Sequence, residues 1–160
     1  MRHLKGAIMG IESISGFSSS STAVRIAHLL DIEGAGRMTE VGLARAVGGG
    51  LPTSALARLV DVMDSFPAVA ALVPEATLRR ARTAGRPLSR EHSGRLYDVS
   101  RVFEMALRAY HDDVDGAAEF LSRRHMLLDG ERPIELALTS SAGADAVIRQ
   151  IGRAMAGVAV

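Results

Sequence analysis

Ser89-Arg90-Glu91-His92 opens the stretch that decides the fold, because Leu96, Val99, Val102, Phe103, Ala106, Leu107 and Tyr110 follow it at spacings of three and four. That recurrence sets the apolar side chains on one stripe of a helix about six turns long. Ser89 stands where an N-cap hydroxyl is wanted. A helix this long and apolar on one side needs other helices against it, so it is read as the spine of an all-α fold. Composition points the same way. Of 160 residues, 48% are hydrophobic but only 4% aromatic, with no Trp, so Ala, Val, Leu and Ile must do the packing while seven Met fill gaps. That palette favours helices over sandwiches and barrels.

Upstream of the spine, Thr22 is read as the N-cap of a helix from Ala23 to Leu30, with Val24, Ile26, Ala27 and Leu30 near one face. Gly34-Ala35-Gly36 breaks it. From Met38 to Val47 the pattern suits a strand or a helix, since Val41, Leu43 and Val47 satisfy either. Gly48-Gly49-Gly50 marks a boundary, and no Gly-Lys-Ser/Thr follows it to make a phosphate loop. Pro52-Thr53-Ser54 then starts a helix through Leu56, Leu59, Val60 and Met63, ended by Asp64-Ser65. Phe66 to Leu72 reads as a short apolar helix with Pro67 in its first turn, and Pro74-Glu75 begins a third, Ala76 to Thr83, stopped by Gly85 and Pro87. Three short helices with tight breaks are similar to a helix-turn-helix unit.

Downstream, Asp112-Asp113-Val114-Asp115 breaks the spine and charges the start of the next helix, Gly116 to Arg124, favourably for its dipole. A loop at Asp129-Gly130-Glu131 leads to a helical turn or two from Pro133 to Leu138. Thr139 or Ser140 caps a final helix with Val147, Ile148, Ile151 and Met155 on one face. The chain closes on Gly157-Val158-Ala159-Val160, with no charge after Arg153. Such a tail either packs back on its own core or enters a groove on a partner. Burying Val158 and Val160 would contribute a few kcal/mol at roughly 25 cal/mol per Å².

Several function classes drop out. Cys is absent, which removes disulfides, thiolate metal sites and cysteine nucleophiles, and suits a reducing cytoplasm. The apolar stretch Ala7 to Ile11 is too short for a signal peptide and Glu12 interrupts it, so no membrane partner is expected. Residues 1–21 end in four serines and read as a flexible arm, with Met9 an alternative start. The five His show no paired spacing, His111-Asp112-Asp113-Val114-Asp115 reads as helix capping rather than a metal site, and no nucleophile motif occurs. No catalytic residue, metal or cofactor is expected.

The remaining bias is arginine. Net charge is only +1, yet 18 of the 19 basic residues are Arg. Between positions 75 and 101, seven arginines stand against Glu75, Glu91 and Asp98, a net of +4. Thr77, Arg79, Arg80, Arg82 and Arg86 fall on or beside the third short helix, where a recognition helix would present them to DNA. The alternative is a solvated face whose arginines pair with nearby acids.

The ordered motifs carry a resemblance. Gly50-Leu51-Pro52-Thr53-Ser54 leads to Thr77-Leu78-Arg79-Arg80-Ala81-Arg82, then Gly85-Arg86-Pro87-Leu88-Ser89-Arg90-Glu91-His92 and the long helix. Ala117-Ala118-Glu119-Phe120-Leu121, Arg132-Pro133-Ile134-Glu135-Leu136-Ala137, Ser141-Ala142-Gly143-Ala144-Asp145 and Ile151-Gly152-Arg153 follow. The series, over roughly residues 48–160, resembles the Xre/MbcA/ParS antitoxins, partners of RES-domain toxins. The resemblance implies a 1–47 extension, a 48–88 Xre-like helix-turn-helix domain and an 89–160 toxin-binding domain. It implies a non-enzymatic antitoxin, a homodimer within a hetero-oligomeric complex, facing a toxin that degrades NAD or transfers its ADP-ribose. Arg149, Gly152, Arg153, Met155, Ala156, Gly157, Val158, Ala159 and Val160 would meet the toxin and plug its active site, and the helix-turn-helix would bind operator DNA in many members. One departure is Asp64-Ser65-Phe66-Pro67-Ala68, an apolar opening where the second helix of the motif is usually polar, which weighs on DNA binding more than on toxin binding. The alternative is a stand-alone helix-turn-helix transcription regulator.

Overall fold

The computed structural model of the chain describes residues 20–157. The flexible-arm reading for residues 1–19 and the apolar residues Val158, Ala159 and Val160 lie outside them. Among the described residues the chain is all-α, as its composition predicts. Its helices are α1 (Thr22–Leu29), α2 (Glu40–Gly49), α3 (Ser54–Val62), α4 (Glu75–Thr83), α5 (Arg90–Ala109), α6 (Val114–Ser122), α7 (Pro133–Thr139) and α8 (Ser141–Met155). Short 3₁₀ segments occupy Ala35–Arg37, Pro67–Leu72 and Met126–Leu128. Two compact units divide between Tyr97 and Asp98, inside α5.

In the first unit, α1 is capped by Ser21, whose Oγ accepts from the Val24 N–H at 3.3 Å, so the cap lies one residue before Thr22. α1 packs on α2 and α3, and Ile26, Ala27 and the C-cap Leu30 are buried. The ambiguous segment after Met38 is helical. Thr39 Oγ1 accepts from the Gly42 N–H at 3.0 Å, and Glu40 stands in the first turn, so capping and dipole select a helix. Gly48 and Gly49 continue that helix, and the break comes at Gly50, with φ 104°. A Cβ on Gly50 would press on the Leu88 carbonyl oxygen, because residues 50–51 and 88 run close together. The Leu88 N–H donates to Leu51 O at 2.9 Å and the Leu51 N–H to the buried Ser93 Oγ at 2.8 Å.

Phe66 to Leu72, expected as an α-helix, is a 3₁₀ segment from Pro67. Val73 precedes Pro74 and takes extended backbone (φ −126°, ψ 117°), which leaves no room for a further α turn. Helix α4 follows where expected, beginning at Glu75.

In α5, Ser89 caps as its position suggests, its Oγ accepting from the His92 N–H at 3.2 Å. Leu96, Val99, Val102, Phe103, Ala106 and Leu107 form the buried stripe. Tyr110 lies past the helix end and is exposed. His111 and Asp112 then take left-handed backbone (φ 53° and 65°), and α6 starts at Val114, two residues before expectation, and ends at Ser122 rather than Arg124. Asp113 occupies the N-cap without a side-chain cap bond, so its contribution there is charge rather than a hydrogen bond.

In the second unit α7 packs on α6 and α8. Ser140, not Thr139, caps α8 through the Gly143 N–H at 3.0 Å. The α7–α8 crossing is so close that a Cβ on Gly143 would collide with the Leu136 carbonyl. Val147 and Ile151 are buried as expected, Ile148 is half-buried, and Met155, one turn past Ile151, is exposed.

Candidate functional site

The second unit carries an open groove of about 520 Å³, and its walls are built step by step from the sequence. One wall is the end of α5, where Ala109 and Tyr110 precede the left-handed pair that turns the chain. Phe120 on α6 lies 5.9 Å from the Tyr110 ring and 4.5 Å from the His125 ring, centroid to centroid. His125 Nε2 bonds to the Phe120 carbonyl at 2.9 Å. A carbonyl can only accept, so Nε2 carries the proton.

A second wall is the turn from His125 to Glu131. The His125 N–H donates to Glu131 O at 3.1 Å, the Gly130 N–H returns to His125 O at 3.0 Å, and Arg124 Nη1 donates to Gly130 O at 3.1 Å. Asp129 and Gly130 take positive φ to close the turn. Leu128 is buried beneath it, which leaves Met126 (88% exposed) and Leu127 (53%) projecting. The third wall is α8, through Gln150, Ile151, Ala154 and Met155. Among the described residues, Tyr110, Met126, Leu127 and Met155 are four of the five large apolar side chains left exposed, and all four line this groove. Monomeric soluble proteins seldom concentrate exposed apolar surface in this way without a partner.

Polar contacts hold α8 in place. Asp98, buried on α5, accepts from Arg101 Nη2 at 2.6 Å and from the Ser141 hydroxyl at 2.5 Å, and Arg101 reaches on to Asp145 at 3.0 Å. Burial works against the Arg101 cation, yet hydrogen bonds to Asp98 and Asp145, with their charges, raise its pKa above the ordinary value. The pairing ties the α8 N-terminus to α5.

The residues expected to meet a toxin divide. Met155 lines the groove. Gly152 faces α5, where a Cβ would sit 3.5 Å from the Met105 methyl. Arg149 and Arg153, a turn apart, are exposed outside the groove, as are Ala156 and Gly157. Gly157, at φ 68°, donates its N–H to Ala154 O at 3.1 Å and closes the helix end. Phe120, His125, Met126 and Leu127 were not anticipated. Their signal was an apolar triplet, Met126-Leu127-Leu128, in a loop too short to bury all of it.

In the first unit, α4 has no buried residue, and Arg79, Arg80, Arg82 and Arg86 are all exposed, with Thr77 half-buried beside them. Arg80 Nε donates to the Ala76 carbonyl at 3.2 Å. Acid pairs are found at Arg101, Arg108, Arg123 and Arg132, away from α4. The arginines of α4 thus form a solvated face, while Arg101, at the end of the same arginine-rich window, pairs with Asp98.

Residues 106–157, about a third of the chain, match the family model of the antitoxin Xre/MbcA/ParS C-terminal toxin-binding domain. No curated protein matches the chain. Every residue lining the groove falls inside the matched span. The stretch that runs from the last turn of α5 to the end of α8 is thus similar to the C-terminal toxin-binding domain of the Xre/MbcA/ParS antitoxins.

Proposed function

We propose that this antitoxin neutralises a RES-domain toxin, an enzyme that degrades NAD or transfers its ADP-ribose, and does so without chemistry of its own. The observation that carries the reading is the match of residues 106–157 to a toxin-binding domain. In this reading the end of α8 and the residues beyond it, Gly152 to Val160, enter the toxin's NAD pocket and deny the substrate access. Arg153 meets polar groups at the pocket, Gly157 turns the chain in, and Val158, Ala159 and Val160 lose apolar surface to water. Arg149 contacts the toxin one turn before this element.

Deletion of residues 153–160 tests it in cells that express the toxin from the neighbouring reading frame. Loss of rescue, with helical circular dichroism retained, is the expected result. Continued rescue by the shortened chain sinks the plugging mechanism.

A second activity, repression of its own operon as a homodimer, is favoured by one observation: the arginines of α4 are exposed and free of carboxylates within 4 Å among the described residues. Arg79→Ala and Arg80→Ala should each weaken operator binding across sequences and lower the salt slope by about one. Unchanged binding by both variants would exclude α4 as the DNA face.

A further inference from the structure

We infer that the groove of the second unit is a docking site for an uncharged, apolar segment of the toxin, adjoining the α8 end that enters the toxin's pocket and sharing Ala154 and Met155 with it, with Met126 and Leu127 as its anchors. The inference rests on the toxin-binding reading above. Its occupant follows from place and chemistry. The lining falls wholly within residues 106–157, the span whose family role is to bind a toxin. Among the lining residues there is no Asp, Glu, Lys or Arg, so an ionised group entering the groove would lose hydration and find no counter-charge. Polar partners are limited to the Tyr110 hydroxyl, the Gln150 amide and the His125 ring, whose Nε2 is already committed to Phe120. An aliphatic or aromatic side chain on a helix or extended segment of the toxin fits; a charged loop does not.

The anchors are fixed before the partner arrives. Bonds from His125 to Glu131 and Gly130, and from Arg124 to Gly130, hold the turn that carries them, and Leu128 is buried beneath it. Docking on a surface already in its bound shape loses little conformational entropy, which lets a small patch carry much of the affinity. Long flexible Met side chains adapt to the shape of what covers them.

The test measures affinity of the full-length chain for the catalytically inactivated RES-domain protein from the neighbouring reading frame, by titration calorimetry. Met126→Asp with Leu127→Asp should weaken binding about 30-fold or more, and Leu127→Ala alone by about tenfold. Val41→Asp, at an exposed apolar position of the other unit, should leave affinity unchanged. Thermal melts of each variant should match the parent, since both anchors project into solvent. A variant with a lowered melting temperature is replaced in the comparison by Met126→Ala. If the parent chain fails to bind the toxin, the toxin-binding reading falls and takes this inference with it. If the parent binds and the anchor variants bind equally well, only the groove assignment falls. If sedimentation shows that the anchor variants lose self-association while keeping toxin affinity, the groove pairs two copies of this chain and the assignment is overturned.

Discussion

At Gly143 a single hydrogen atom decides how closely two helices cross. Its position three residues after the Ser140 cap serves α8, while its missing Cβ lets the Leu136 carbonyl approach from α7. Gly143→Ala would ordinarily favour a helix, but here the methyl meets backbone that cannot swing aside. We expect a net loss of about 1–3 kcal/mol in urea unfolding, and an unchanged midpoint would refute the close crossing. His28 makes stability depend on pH. Burial first, and the charge of Arg58 second, lower its pKa below the ordinary 6.5. The unfolded chain therefore takes up a proton near pH 6.5 while the folded chain still resists, so stability falls as pH drops below about 6.5 toward the folded value. Thermal melts at pH 7.5 and 5.5 should show that fall, and His28→Gln should reduce it; an equal fall in the variant assigns the effect to other groups. Neither effect was legible in the sequence, because each depends on a neighbour brought in by the fold.

Helices were more legible than their contacts. Ser89 announces α5 and the pair Thr139-Ser140 announces α8, since a hydroxyl just ahead of a three-and-four apolar pattern has a local role that needs no tertiary information. Ser140→Ala should cost about 1 kcal/mol in chemical denaturation, against no measurable change for Thr139→Ala, whose hydroxyl donates to Glu135 O on the exposed side of α7. Equal losses would put the cap in the wrong place. The segment after Met38 was ambiguous because only Leu43 of α2 is buried, which leaves periodicity almost nothing to report. Phe66 to Leu72 differs for the opposite reason: its apolar content signals burial, while Pro74 holds Val73 in extended backbone and limits the segment to a 3₁₀ turn.

For the whole molecule, a composition rich in small aliphatic residues and poor in aromatics was enough for the all-α class, and the ordered motifs were enough for the antitoxin resemblance now matched at residues 106–157. The groove was not legible, because its walls come from α5, α6, the 125–131 turn and α8, brought together from positions 109 to 155. Of the residues from Arg149 to Val160 that the sequence points to, Met155 lines the groove; the fold adds Tyr110, Phe120, His125, Met126 and Leu127 to it. The exposure of Met126 also has a chemical consequence. In a chain without Cys, thioethers are the softest nucleophiles an oxidant meets, and Met63 is buried while Met126 stands in solvent. Under dilute hydrogen peroxide, peptide mass spectrometry should find sulfoxide at Met126 first, at Met155 next and at Met63 last; equal rates would contradict the burial pattern. A sulfoxide places a strong dipole in a groove lined without charge, so oxidative stress would strip this surface of its apolar character before it unfolded the chain.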